Sequence, residues 1–217
     1  MHLNSQLLFE RFATPYFQAN QRVLEIGADG DPSTYRRLLE PLPLRWETAD
    51  LADDVMDALA PGGAFRQAVR SRHVMPTEYE IPVPDGTFDV VVAGNVAEHV
   101  RRVWVWVAEL ARVTRPGGMI VIVSPISWPY HAAPVDCWRI HPEGMRALCD
   151  EAGLTVLVCQ SAALEPPVSR RRYLAQTSFG DGGRAANRRL GMVVKQIVGW
   201  PSPTALDVVA VAQKPPA

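Results

Sequence analysis

The stretch Val23–Leu39, VLEIGADGDPSTYRRLL, decides the fold. Val23, Leu24, Glu25 and Ile26 form an apolar-weighted run that reads as a short buried strand. A glycine-bearing turn follows at Gly27 to Gly30, and a helix opens at Pro32-Ser33. Strand, tight turn and helix N-terminus is the arrangement by which an open parallel sheet holds a nucleotide-like ligand at its carboxyl edge. Glycine removes the side chain where backbone and ligand approach closely. Glu25 is the exception in the strand, because a carboxylate there suits a cationic ligand better than a pyrophosphate. An ordinary β–α connection fits the same residues equally well.

The pattern repeats outward from this stretch. Leu3 to Phe17 places Leu7, Leu8, Phe12 and Phe17 at helical spacing, broken near Pro15, which predicts an amphipathic helix lying over the domain as a lid. Leu44 to Ala49 reads as strand two and ends in Asp50, a helical stretch runs from Asp54 to Arg72 across Pro61-Gly62-Gly63, and Val74 to Tyr79 makes a poor strand. Phe88–Ala93 is the clearest buried strand, His99 to Thr114 a strong helix, and Met119 to Val123 a continuous β-branched run. A helix from His141 or Pro142 to Ala152 precedes two last strands, Leu154 to Cys159 and Leu206 to Ala212. Strands alternating with helices argue for an α/β sheet.

The bulk properties exclude more than they assign. The 217 residues fit one domain, 1–217, with a lid at 1–20 and an arginine-rich insertion at 161–203. A net charge of −1 gives no pull toward nucleic acid or a membrane surface. Cys137, Cys149 and Cys159 are odd in number and lack metal spacing, which fits a reducing compartment. The start MHLNSQLLFERF has no basic region followed by a long apolar run, and no stretch reaches spanning length, so a cytoplasmic protein without a membrane span is expected.

The opening stretch, IPVPDGTFDVVVAGNVAEHV (Ile81–Val100), the Arg115-Pro116-Gly117-Gly118 turn and Glu151-Ala152-Gly153-Leu154 occur in one order. That succession resembles the class I S-adenosylmethionine-dependent methyltransferases, in particular their type 11 group. The resemblance implies a Rossmann-like α/β fold. Its seven-stranded, mostly parallel sheet has the last strand antiparallel beside the fifth, and helices cover both faces. It implies S-adenosyl-L-methionine as cofactor, with Glu25, Gly27, Ala28 and Asp29 at the first loop and Asp50 accepting the ribose hydroxyls. Glu47 is the rival to Asp50. The resemblance also puts Glu78 near the adenine and Asn95 against the cofactor. Asp29 and Asp31 depart from the family's later glycines; aspartate tolerates a positive φ, which would preserve the turn.

Methyl transfer to a hydroxyl needs the proton removed, by a base of near-neutral pKa or by a metal that acidifies the acceptor. His99, His131 and His141 all follow the carboxyl ends of strands, where the mouth of such a sheet lies. Glu98-His99 resembles the pair that binds a divalent cation in quinone-biosynthesis O-methyltransferases, whose further glutamate is Asn95 here. With Asp136, or another carboxylate of the next loop, completing the set, the resemblance implies Mg2+ held by Glu98, His99 and Asp136; the alternative is a helix-capping Glu98 and a packed His99. In SPISWPYHAAPVDCWRIHPEGMRAL (Ser124–Leu148), aromatic residues interleave with His131, Asp136, Arg139 and His141, as suits a sugar ring. Asp136 and Arg139 are equally readable as a loop-fixing ion pair. This segment resembles sugar O-methyltransferases of methylmannose polysaccharide synthesis, which implies a small-molecule or oligosaccharide acceptor.

The arginine excess from Arg170 to Lys195 fits an acidic acceptor or a solvated flap, and Trp104 and Trp106, which cannot face the same way, fit a homodimer. Two rival readings stand beside the sugar O-methyltransferase: a methyltransferase of a quinone precursor or a nitrogen nucleophile, and a non-catalytic binding protein of the same fold.

Overall fold

The computed structural model describes residues 3–59, 71–131, 134–165 and 205–217. The arginine cluster from Arg170 to Lys195, and the Pro61-Gly62-Gly63 break, lie outside the described residues.

Seven strands form one sheet: β1 (Arg22–Ile26), β2 (Arg45–Leu51), β3 (His73–Met75), β4 (Phe88–Gly94), β5 (Thr114–Ser127), β6 (Thr155–Ala162) and β7 (Leu206–Gln213). Their order is β3-β2-β1-β4-β5-β7-β6. The pairs from β3 to β5 are parallel, and β7 runs antiparallel between β5 and β6, as the resemblance implied. The order reverses between β1 and β4, which opens a crevice at their carboxyl ends.

Among the described residues the α-helices are α1 (Leu3–Phe12), α2 (Thr34–Leu38), α3 (Asp53–Leu59), α4 (Val103–Val113) and α5 (Pro142–Glu151). Both faces of the sheet are buried, which explains the continuous β-branched runs. On one face Val90, Val92, Val121, Val123, Val209 and Val211 pack with Leu8, Phe9 and Tyr35 of α1 and α2. On the other, Val91, Ala93, Ile120, Ile122 and Ala210 pack with Trp106, Leu110 and Met145 of α4 and α5.

Four expectations change. The inner stripe of α1 is Asn4, Ser5, Leu8 and Phe9, because its polar start is tied to β7: Asn4 Nδ2 and Ser5 Oγ each donate to Asp207 Oδ2 at 3.0 Å. β3 stops at Met75, since Pro76 has no N–H for the ladder. β5 runs well past Met119–Val123 at both ends, with a register irregularity against β4 near its start. The helix expected from His99 begins only at Val103: Ala97–His99 is a 3-10 turn, and the Glu98 carbonyl accepts the N–H groups of Cys137 and Trp138, at 2.7 and 3.3 Å, instead of a helical partner. Trp106 is buried, whereas Trp104 is half exposed and meets Trp138 edge-on at 6.2 Å. Among the described residues no helix is long and apolar enough to cross a membrane.

Candidate active site at the carboxyl edge of the sheet

The turn after β1 is built from its first glycine. Gly27 has φ +68°, and a Cβ there would stand 2.7 Å from Val96 in the loop after β4. Both facts exclude a side chain and bring the two loops together. Asp29 takes no positive φ; instead its carboxylate accepts the N–H and hydroxyl of Thr34 at 2.8 and 2.6 Å, stapling the loop to α2. The departure from the family glycines is thus absorbed by side-chain bonding, not by a left-handed aspartate. Ala28 is buried behind it.

Glu25 lies on the α2 face of β1 and is 1% exposed. Its Oε2 accepts from Ser33, which also caps α2, and from Trp46 Nε1 at 2.9 Å. The glutamate therefore pins β1, α2 and β2 to one another. Burial pushes its carboxyl up to about 7 despite those two donors.

Register places the next residues side by side. Ile26 pairs with Ala49 and with Ala93, so Gly27, Asp50 and Gly94 stand at one level near the carboxyl ends of three adjacent strands. Asp50 is 8% exposed; its Oδ1 accepts only its neighbour's N–H at 2.9 Å, and Oδ2 is buried without a partner. Burial raises its carboxyl to about 7. The rival Glu47 is committed elsewhere, to Arg22 at 2.7 Å and His73 at 2.8 Å. Asn95 adopts φ +56°, which asparagine tolerates, and both its side-chain polar atoms are buried without partners. Buried polar groups are nearly always satisfied, so these orphaned atoms at the carboxyl edge call for an explanation. Glu78 is spent locally, accepting from Tyr79 Oη and the Arg101 N–H, both at 3.2 Å.

A second cluster sits beside the first. Glu98 is fully buried, with Oε2 3.4 Å from Ser124 Oγ and Oε1 unpartnered, and burial pushes its carboxyl to about 8. His99 Nδ1 meets the Val135 carbonyl, which can only accept, so Nδ1 carries the proton and Nε2 the lone pair. Burial lowers the His99 pKa and keeps the ring neutral. His131 packs edge-on against His99 with centroids 4.9 Å apart. Ligand atoms of Glu98, His99 and His131 all lie within 4.8 Å of one another.

Asp136 is absent from that cluster. Its carboxylate, 2% exposed, grips the Arg139 guanidinium at both oxygens and accepts the His131 N–H at 2.9 Å. Burial opposes its ionisation, but Arg139 and that N–H outweigh burial and hold its pKa below the usual value. Arg139 also donates to the Trp128 and Trp138 carbonyls, so the pair fixes the loop and positions His131. The implied magnesium set does not fit: Asp136 is spent on Arg139, and the third group facing Glu98 and His99 is an imidazole, which magnesium disfavours. His141 stands apart, exposed at the N-cap of α5. Tyr35, Ser33 and Ser124 were not anticipated, and Ser33 alone had a signal, its place opening a helix after a proline.

Comparison with known proteins agrees with this fold. A family model described as a methyltransferase domain matches residues 56–122. A protein of Mycolicibacterium gilvum (strain PYR-GCK) named as an uncharacterized methyltransferase is 32% identical over 103 residues, 48% of this chain and 38% of its own length. The chain thus spans well under half of that relative. Among solved structures, a Haemonchus contortus phosphoethanolamine N-methyltransferase 2 with bound S-adenosyl-L-methionine superposes with TM-score 0.57 at 15% identity, covering 98% of this chain and 53% of that one. The [4+2]-cyclase SpnF superposes with TM-score 0.59 at 15% identity, covering 98% and 81%. These identities establish a shared fold, and the cyclase shows that the fold alone does not dictate the reaction.

Proposed function

We propose that this chain is a class I S-adenosylmethionine-dependent methyltransferase and that it transfers the methyl group of S-adenosyl-L-methionine to a hydroxyl of a small acceptor, a saccharide such as a partly methylated mannoside. The observation that carries the reading is the set of orphaned buried atoms at the carboxyl edge, Asp50 Oδ2 and both polar atoms of Asn95. Asp50 would accept the ribose hydroxyls, Gly27 would admit the loop backbone to the cofactor, and Asn95 would meet it from the loop after β4. The cofactor supplies an activated methyl group on a cationic sulfonium. Burial raises the carboxyls of Asp50 and Glu98 at that edge, and a sulfonium beside them would favour their ionised forms.

On the acceptor side, Glu98, His99 and His131 supply what a neutral hydroxyl requires. Its proton must leave as the new C–O bond forms, and a neutral imidazole with a free lone pair, or an ion held by it, serves that need. Trp128 and Trp138, flanking the loop, suit the apolar face of a sugar ring. A cytoplasmic location and a homodimer through the half-exposed Trp104 belong to the same reading, and light scattering tests the latter.

Calorimetry with S-adenosylhomocysteine tests the cofactor half: no binding at high micromolar ligand would sink the enzymatic reading and leave a non-catalytic binding protein. Incubation with labelled cofactor and a panel of mannosides, phenols and amines tests the acceptor half. Turnover confined to a phenol or an amine would replace the saccharide with the quinone-precursor or nitrogen-nucleophile reading.

A further inference from the structure

We propose that Glu98, His99 and His131 form a binding site for a borderline divalent ion of the zinc class, in place of the oxygen-preferring magnesium that the sequence resemblance implied. Their ligand atoms converge within 4.8 Å. Glu98 Oε1 is buried, has no hydrogen-bond partner, and lies 3.8 Å from His99 Nε2. The carboxyl oxygen and the lone pair of Nε2 face each other beyond hydrogen-bond distance, an arrangement that a cation between them would satisfy.

The supports around the cluster are those of a metal site. A ligating histidine donates its other N–H to a carbonyl or carboxylate, which fixes its tautomer and its direction. His99 does so to Val135, and Nε2 is left as its donor atom. His131 is held from behind by Asp136, itself gripped by Arg139. Ligands about 2.0–2.2 Å from a tetrahedral zinc ion stand about 3.3–3.6 Å apart, so the Glu98–His99 pair at 3.8 Å needs only a small closure.

The donor set also decides the ion. Two imidazoles and one carboxylate suit zinc and its neighbours, whereas magnesium demands an octahedron of oxygens. Three protein ligands leave an open position, where the ion would acidify a coordinated acceptor hydroxyl. That role rests on the acceptor reading above; the binding of the ion does not.

Titration of the chelator-treated full chain with Co2+, followed by its visible absorption, tests the site without an acceptor. One equivalent is expected to bind with the intense spectrum of a low-coordinate cobalt site, to be displaced by Zn2+, and to survive millimolar Mg2+. Glu98→Gln and His131→Ala should each weaken Co2+ at least tenfold, and His141→Ala should not. His131 is one-third exposed, so its variant keeps the test open if the buried Glu98 variant fails to fold. A cobalt spectrum indifferent to both substitutions, or displaced by Mg2+, overturns the proposal. So does no spectrum from protein that still binds S-adenosylhomocysteine, in which case the cofactor reading stands.

Discussion

The ring of Tyr35 lies against Gly94 so closely that a Cβ on Gly94 would stand 2.3 Å from both Tyr35 Cε2 and its hydroxyl oxygen. The contact seats α2 on the last residue of β4, immediately before Asn95. Tyr35 is fully buried and its ring meets that of Phe9 at a 30° tilt with centroids 4.2 Å apart, so it has no room to retreat. Its hydroxyl has no hydrogen-bond partner, and the close fit is therefore made at a polar cost.

Two substitutions at this contact should move stability in opposite directions. Gly94→Ala overpacks the junction and should destabilise the protein by about 1–3 kcal/mol. Tyr35→Phe removes an unsatisfied buried hydroxyl and should be neutral or stabilising by about 1 kcal/mol. Urea unfolding followed by tryptophan fluorescence measures both, and an unchanged midpoint for Gly94→Ala would mean the ring yields.

Asp50 should make cofactor binding depend on pH. Its carboxyl, raised to about 7 by burial, accepts hydrogen bonds best when ionised, so affinity for S-adenosylhomocysteine should fall as pH drops through 7. Asp50→Asn should weaken binding about tenfold or more at pH 8 and abolish that pH step. A variant that keeps the wild-type calorimetric profile would remove Asp50 from the site.

Glu25 should cost stability at high pH. With a folded value near 7 against an ordinary 4.5, the folded state holds its proton longer than the unfolded state. Stability therefore falls as pH rises from about 4.5 to 7, by up to about 3 kcal/mol from this group. Glu25→Gln should flatten that part of the profile in denaturant titrations at pH 5 and pH 8. An undiminished slope would assign it to other buried carboxyls.

Glu47 should behave in the opposite sense. Its hydrogen bond to Arg22, and a weaker one to His73, hold its pKa down to about 2 against the pull of burial. Its contribution is complete above about pH 4.5 and is lost as pH falls toward 2. Glu47→Gln should cost about 1–2 kcal/mol at pH 7 and almost nothing near pH 2. Equal losses at both pH values would point to packing rather than charge.

The sequence by itself determined the parallel sheet and the loops at its carboxyl edge. Val90–Ala93 and Ile120–Val123 are buried on both faces, and that requirement writes itself into consecutive residues. The place of Gly27 was legible because its turn is local, and that of Asp50 because it stands at the carboxyl end of a run that reads as a strand. Only the tertiary structure decided the partners. Asn4 and Ser5 meet Asp207 across more than 200 residues of chain. His131 joins Glu98 and His99 while Asp136 turns to Arg139, an outcome set by guanidinium bonds to loop carbonyls. A strand's burial repeats with the period of its backbone. A loop's hydrogen bonds follow no period, so they emerge only when distant segments are packed together.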